Sequence, residues 1–165
     1  MLKHCLIALG VALSAATASY AQSASDIARV QAGQSCTGCN LFQADLAYRD
    51  LPGIDVSHSR LRQADLSLAT MNRSRFDGAD LSVANLFGAR FTGASFRNAD
   101  LRRATAVGAY FGGADLSGAR LDGANLSGAE LETARGLTQG QLSAACGDRY
   151  TRLPPGLTVA ACSAR

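Results

Sequence analysis

From Cys39 to Thr133 a large apolar residue returns at every fifth position. The series reads Leu41, Leu46, Leu51, Val56, Leu61, Leu66, Met71, Phe76, Leu81, Leu86, Phe91, Phe96, Leu101, Phe111, Leu116, Leu121, Leu126 and Leu131. Ala106 alone breaks it. Two residues before each centre the side chain is small in nearly every unit; Asp or Asn often precedes the centre, and Gly often follows two later. A period of five fits neither the 3.6 of a helix nor the 2 of a strand. A chain that obeys it must turn a corner every five residues, with Asp, Asn and Gly as turn formers. Four such sides close a square coil of about twenty residues, so the segment predicts about five coils, stacked by parallel backbone pairing.

In its Ala-(Asp/Asn)-Leu-x-x register the stretch includes Ala44-Asp45-Leu46-Ala47-Tyr48, Ala64-Asp65-Leu66-Ser67-Leu68 and Ala124-Asn125-Leu126-Ser127-Gly128. This pattern resembles the pentapeptide-repeat family. The resemblance implies an all-β fold, a right-handed quadrilateral parallel β-helix, over residues 39–133. A stacked coil needs covered ends, because open coils expose unpaired backbone. We therefore expect short helical caps at both ends, residues 22–38 and 134–165. At the first, Ser25 caps a helix over Asp26–Val30 that Gly33 ends. At the second, residues 136–146 form a short amphipathic helix with Thr138 as N-cap and Leu142 facing inward. The Leu137-Thr138…Gln141-Leu142…Cys146-Gly147-Asp148…Leu153-Pro154…Cys162 pattern is similar to the closing segment of exported pentapeptide-repeat proteins.

The pattern also predicts its own imperfections. Arg49 and Ile54 occupy small inward positions and Pro52-Gly53 lies between them. A guanidinium cannot stay unpaired in a narrow core, so a bulge or loose corner is expected over 48–54, with Arg49 turned outward. Phe76 should stack under Phe96, and Phe91 under Phe111. Ala106 should leave its layer underfilled.

Ahead of the repeat, Lys3 and His4, an apolar run from Cys5 to Ala16, and Ser19-Tyr20-Ala21 read as a secretory signal peptide over residues 1–21, cleaved after Ala21. The mature protein is then expected to be exported, periplasmic or secreted, with no membrane span. Its loss removes the only lysine and lowers the formal charge from +3 by one. So small an excess gives no strong global field for steering a polyanion.

Four cysteines remain, Cys36, Cys39, Cys146 and Cys162, an even number in an oxidising compartment. About five coils at roughly 4.8 Å each hold the two ends some 20 Å apart, beyond the reach of about 7 Å that a disulfide allows. Bonds Cys36–Cys39 and Cys146–Cys162 are expected, each local to one end, unless the tail folds back along the whole shaft. The family resemblance also fits a Cys-x-x-Cys clip before the first repeats. The same motif has a redox-active reading, which needs a thiolate at a helix N-terminus; here it leads into a coil instead. One zinc ion cannot span all four cysteines at that separation.

Function has to come from the outer faces. Side chains twenty residues apart share a face. One face carries Arg60, Arg62, Arg102, Arg103 and Arg120 among Asp80, Asp100 and Asp122. The next presents Tyr48, Leu68, Phe87 and Val107 among Asp45, Asp65, Asn85, Thr105 and Asn125, and is read as holding no basic residue. His58 stands at a corner that offers no pocket, no carboxylate pair is inward, and columns of Leu and Phe leave no room for a cofactor. No enzymatic activity, metal or cofactor is expected. The reading is an exported structural or protein-interaction module whose partner is a cell-envelope protein that binds Tyr48, Leu68, Phe87 and Val107, unless the C-terminal segment covers that face. The alternative is polyanion or nucleic-acid binding through the five arginines. Some pentapeptide-repeat proteins mimic DNA with a strongly acidic surface; the slightly basic charge here departs from that, and interleaved aspartates and missing aromatic platforms weaken direct binding.

Overall fold

The computed structural model describes residues 22–163; the signal-peptide reading falls outside them. Every fifth residue from Gly38 to Gly128 has φ between 54° and 71°. At every repeat corner but the one over Leu51–Ile54, the amide three residues after a central apolar side chain donates to that residue's own carbonyl, as Ala44 does to Leu41 at 3.0 Å. A positive φ at the third of four residues closed by such a bond is a type II turn. Glycine adopts it without strain. Nine corners instead use Gln43, Tyr48, His58, Gln63, Leu68, Arg73, Val83, Asn98 and Arg103.

Between corners the backbone pairs in parallel with the residue twenty further on: Asn40 with Arg60, Asp45 with Asp65, Asp50 with Thr70, Asp55 with Arg75, and so on to Asp115 with Arg135. The result is a β-helix with four corners per coil. The ladder runs two residues past Thr133, with Ala134 still buried.

Every central residue is buried, Ala106 included. The small positions are buried beside them, and where a hydroxyl takes that place it finds a carbonyl. Ser59 Oγ donates to Cys36 at 2.8 Å and Ser74 Oγ to Leu51 at 3.0 Å. Ser57 Oγ is the exception among the described residues, buried without a hydrogen-bond partner. Phe76 stacks on Phe96 with ring centroids 4.7 Å apart, and Phe91 on Phe111 at 5.3 Å. The two ladders also meet edge to face, at 5.1 Å between Phe91 and Phe96. Around Ala106 the packing opens into an apolar cavity of about 10 Å³, lined among others by Leu101, Phe111, Leu121 and Leu126. A void that small and apolar stays dry.

No bulge forms over 48–54, but the corner is locally loose, the other form expected: among the described residues no hydrogen bond from the Ile54 amide to the Leu51 carbonyl closes it. Asp50 and Asp55 keep their twenty-residue register, Ile54 fits the small inward position with only 3% exposure, and the Arg49 carbonyl accepts from Thr70 at 2.8 Å. Arg49 is exposed, as expected. The corner absorbs it because only its side chain leaves the core; the backbone stays in the ladder.

At the N-terminal end helix α1 (Ala24–Gln31) places Val30 in the core. Its N-cap is Ser23 rather than Ser25, since Ser23 Oγ is the group within reach of the Asp26 amide, at 3.3 Å. Asp26 Oδ2 then accepts from Asn40 at 3.0 Å, and Gln31 Nε2 donates to the Asp45 carbonyl at 2.8 Å. The helix thereby satisfies backbone groups of the first coil that no lower rung can reach.

At the other end α2 is shorter than the predicted helix, spanning only Gln139–Leu142. Thr138 and Gln141 form a capping box, and Leu142 is buried. Gln141 Nε2 also donates to the Leu116 and Ala119 carbonyls, at 2.8 and 2.9 Å. The chain leaves the helix because Cys146 is needed in the ladder: it pairs with Asn125, and Arg152 pairs with Glu130. The offsets are no longer twenty, so the extra rung is invisible to a five-residue count. Strand β1 (Cys146–Gly147) pairs in parallel with β2 (Ala160–Ala161). Gly147 permits this closure, because a Cβ there would come within 2.6 Å of Thr151 Oγ1 and 2.7 Å of Val159.

Candidate functional site

Corner geometry decides which side chains reach solvent. Tyr48 and Leu68 sit at positive-φ corner positions twenty residues apart, while Phe87 and Val107 occupy the position just before the corner on the next two rungs. Tyr48 is 76% exposed, Leu68 44% and Phe87 48%; Val107 is half-buried. Leu68 lies against the following corner, where a Cβ on Gly88 would meet its Cδ2 at 2.7 Å. The four thus form one climbing strip over four consecutive rungs. Single exposed apolar side chains are ordinary, whereas a contiguous row is a recognised mark of an interaction surface.

The C-terminal segment does not cover this strip. It lies at the end of the same face: Ser127 Oγ donates to Cys162 Sγ at 3.5 Å, Gly128 donates to Asp148 Oδ1 at 2.9 Å, and Thr151 Oγ1 donates to the Leu126 carbonyl at 2.9 Å. Between these rungs Tyr150 emerges 62% exposed, an aromatic on the tail that the repeat pattern could not assign to a face. The exposed Arg49 belongs at the strip's first corner, so this face carries one basic side chain where none was expected.

Below the strip runs a column of capping side chains. Asp45, Asp65, Asn85 and Asn125 each accept from the amide two residues on, at 2.9–3.1 Å. Asn85 Nδ2 also donates to Asp65 Oδ1 at 3.1 Å. These side chains are committed to the backbone and leave little polar chemistry for a ligand.

The arginine-bearing face is less uniform than its sequence. Arg60 lies over the Phe42 ring at 4.8 Å. Arg102 is gripped by Asp100, its Nε donating at 2.8 Å and its Nη2 to the other carboxylate oxygen. That hydrogen bond, with the charge of Arg102, holds the Asp100 carboxyl below its usual range against the effect of burial. The five arginines fall in three columns, Arg60 with Arg120, Arg62 with Arg102, and Arg103 at the corner, interrupted by aspartates and Ser82, so they do not form one continuous basic stripe.

A second electrostatic cluster lies on another face, where Asp77 receives Arg75 at 3.2 Å and Arg97 at 3.0 Å. Burial pushes the Asp77 carboxyl up, but hydrogen bonds from Ser95, Arg97 and Arg75 outweigh it and leave it below the ordinary aspartate value. Burial raises Asp55 too, but its carboxylate accepts from the Ser57 amide at 2.9 Å and faces Arg75 at 3.4 Å, and it is shifted the same way. These shifts come from structural pairing at the surface and mark no acid–base pair.

Cys36 and Cys39 are joined, with Cα atoms 5.7 Å apart, and so are Cys146 and Cys162, at 4.7 Å. Asp26 lies beside the first pair, its carboxylate within 4.8 Å of both sulfurs. With the sulfurs bonded to each other the trio offers no thiolate to a metal. His58 is exposed at a corner, its ring resting over Gly78. Among the described residues no helix is long and apolar enough to cross a membrane.

No curated protein matches the chain at a significant level. Among solved structures it is similar to a pentapeptide repeat protein from the thylakoid lumen of Arabidopsis thaliana, 26% identical with a TM-score of 0.48, over 71% of this chain and 67% of that one. It is also similar to HetL, a pentapeptide repeat protein involved in heterocyst differentiation regulation from the cyanobacterium Nostoc. There the identity is 26% and the TM-score 0.48, over 78% of this chain and 60% of HetL. QnrB1, a plasmid-mediated fluoroquinolone resistance protein, is 18% identical over 68% of this chain and 77% of its own, with a TM-score of 0.43. The pentapeptide repeats family matches residues 39–78, 64–103 and 99–135, in 8 copies. Together with a ladder that repeats every twenty residues and a corner every five, this match places the chain in the pentapeptide-repeat family.

Proposed function

We propose that the protein is an exported, non-enzymatic interaction module that binds a partner protein in the cell envelope through Tyr48, Leu68, Phe87 and Val107. The coil is read as right-handed, with α1 and residues 136–163 closing its ends and a signal peptide removed after Ala21. The observation that carries the reading is the exposure of Tyr48, Leu68 and Phe87 on three successive rungs of one face, with the tail engaged further along. A rigid rod spends little ordering entropy when it docks, which favours flat apolar recognition.

The test uses the mature protein as bait in its own envelope fraction, beside a Leu68→Ser/Phe87→Ser variant. Both residues lie outside the core, so the variant should keep the wild-type circular dichroism spectrum. A partner retained by the wild type and lost by the folded variant supports the proposal. A partner retained equally by both removes this face from consideration. Intact mass of the exported protein checks the cleavage site separately.

A further inference from the structure

Next to the apolar strip, the arginine face contains a groove of about 330 Å³ lined by Arg62, Ser82, Val83, Arg102, Arg103 and Asp122. Arg62, Ser82 and Arg102 stand in one column, one rung apart, and Val83 and Arg103 in the corner column beside it. A second, larger groove shares Val83 and Arg103 with the first and runs on to Asn125, Cys146 and Cys162 on the C-terminal rung. Arg103 thus stands where the two meet.

The donors around the first groove are unevenly occupied. Arg102 spends its Nε and Nη2 on Asp100. Ser82 gives its hydroxyl proton to Asp80 at 2.5 Å. Arg62 and Arg103 have no hydrogen bond or ion pair from their guanidiniums among the described residues. Two uncommitted forks therefore open on one concavity. A guanidinium presents parallel N–H donors matched to a carboxylate or phosphate edge.

The corner itself is unusual. Val83 holds φ at 62° and Arg103 at 58°, in a region that L residues other than Asn and Asp rarely adopt, least of all a β-branched one. More than half of the corners place Gly at this position. Val83 in place of Gly walls the groove on one side, and Arg103 in place of Gly brings a charge to its rim.

We propose that this groove binds a small oxyanion, a phosphate or a carboxylate, between the Arg62 and Arg103 guanidiniums. The site is discrete and differs from a polyanion-binding face: Arg60 is held over Phe42 and Arg102 by Asp100, which leaves Arg62 and Arg103 as the two donors, two positive charges against the one negative charge of Asp122 in the lining. It is also independent of the apolar strip.

The experiment is isothermal titration of the mature protein with inorganic phosphate in one arm and citrate in the other, at low salt. Arg62→Gln and Arg103→Gln are compared with the wild type, and Arg149→Gln, which removes the same charge outside the groove, is the control. Saturable binding of either probe at one site, weakened about tenfold by each groove substitution and unchanged by Arg149→Gln, is the expected result. The arm that saturates identifies the anion class. Absence of saturation in both arms, or equal weakening by all three substitutions, overturns the proposal. Circular dichroism of the variants excludes unfolding as the cause of any loss, since all three side chains lie at the surface.

Discussion

The inside and the outside of this shaft are produced by the same five-residue unit, yet they obey different rules. Inside, the central columns are filled by Leu, Phe, Met or Val, with Ala106 the one exception, and successive coils repeat them with little change. Outside, the residues at the corners and just before them range from Tyr48 and Leu68 to Arg102, Arg103 and the glycines. The difference shows what each position answers to. A central side chain must fill a fixed volume between the rungs above and below, while a corner side chain needs only to tolerate a positive φ. The interior is therefore constrained by packing, and the exterior is free to carry recognition.

Emptying the aromatic interior should have the largest effect. Phe96 touches both Phe ladders, so Phe96→Ala should cost about 3–5 kcal/mol in urea unfolding; a loss under roughly 1 kcal/mol would mean that the coils relax around the gap. Next comes the one central position that is underfilled. Ala106→Val fills part of the 10 Å³ cavity and should stabilise by about 0.5–1 kcal/mol. Destabilisation would show that the surrounding leucines leave no usable space.

A smaller gain is expected at the corner. Val83→Gly relieves the left-handed strain of a β-branched residue, worth about 1 kcal/mol, against about 0.5–1 kcal/mol of added chain entropy. A net rise in melting temperature is the outcome that fits. The smallest effect belongs to surface pairing. Asp77→Asn should cost about 1 kcal/mol or less and flatten the acid limb of the stability profile. The sign follows from a depressed folded-state value: the Asp77 contribution is present above the ordinary aspartate value of 3.8 and is lost as pH falls through the lower folded one. A wild type whose stability stays level as pH drops below 3.8 would contradict this pairing.

The columns of the core were legible in the sequence because steric volume fixes them, from Leu41 to Leu131, and the stacking of Phe76 on Phe96 follows from spacing alone. Ile54 shows the limit of that reasoning. A residue too large for its position by pattern is still buried, with the backbone on either side kept in register. The C-terminal rung was not legible, because Cys146 pairs with Asn125 and Arg152 with Glu130 after the count of five has lapsed. On the surface, the strip of Tyr48, Leu68 and Phe87 could be placed from spacing. The grip of Asp100 on Arg102, and the freedom of Arg62 and Arg103, could not, because long side chains choose their partners by rotamer rather than by register.

The twenty-residue ladder also sets a rule for how such a chain can change length. Removing one pentapeptide would leave every inward side chain inward, because the core repeats every five residues. It would turn everything downstream by a quarter of a revolution about the shaft, setting Phe87 among the arginines. A whole coil can be gained or lost with the faces still aligned. The core tolerates edits in fives, whereas recognition tolerates them only in twenties.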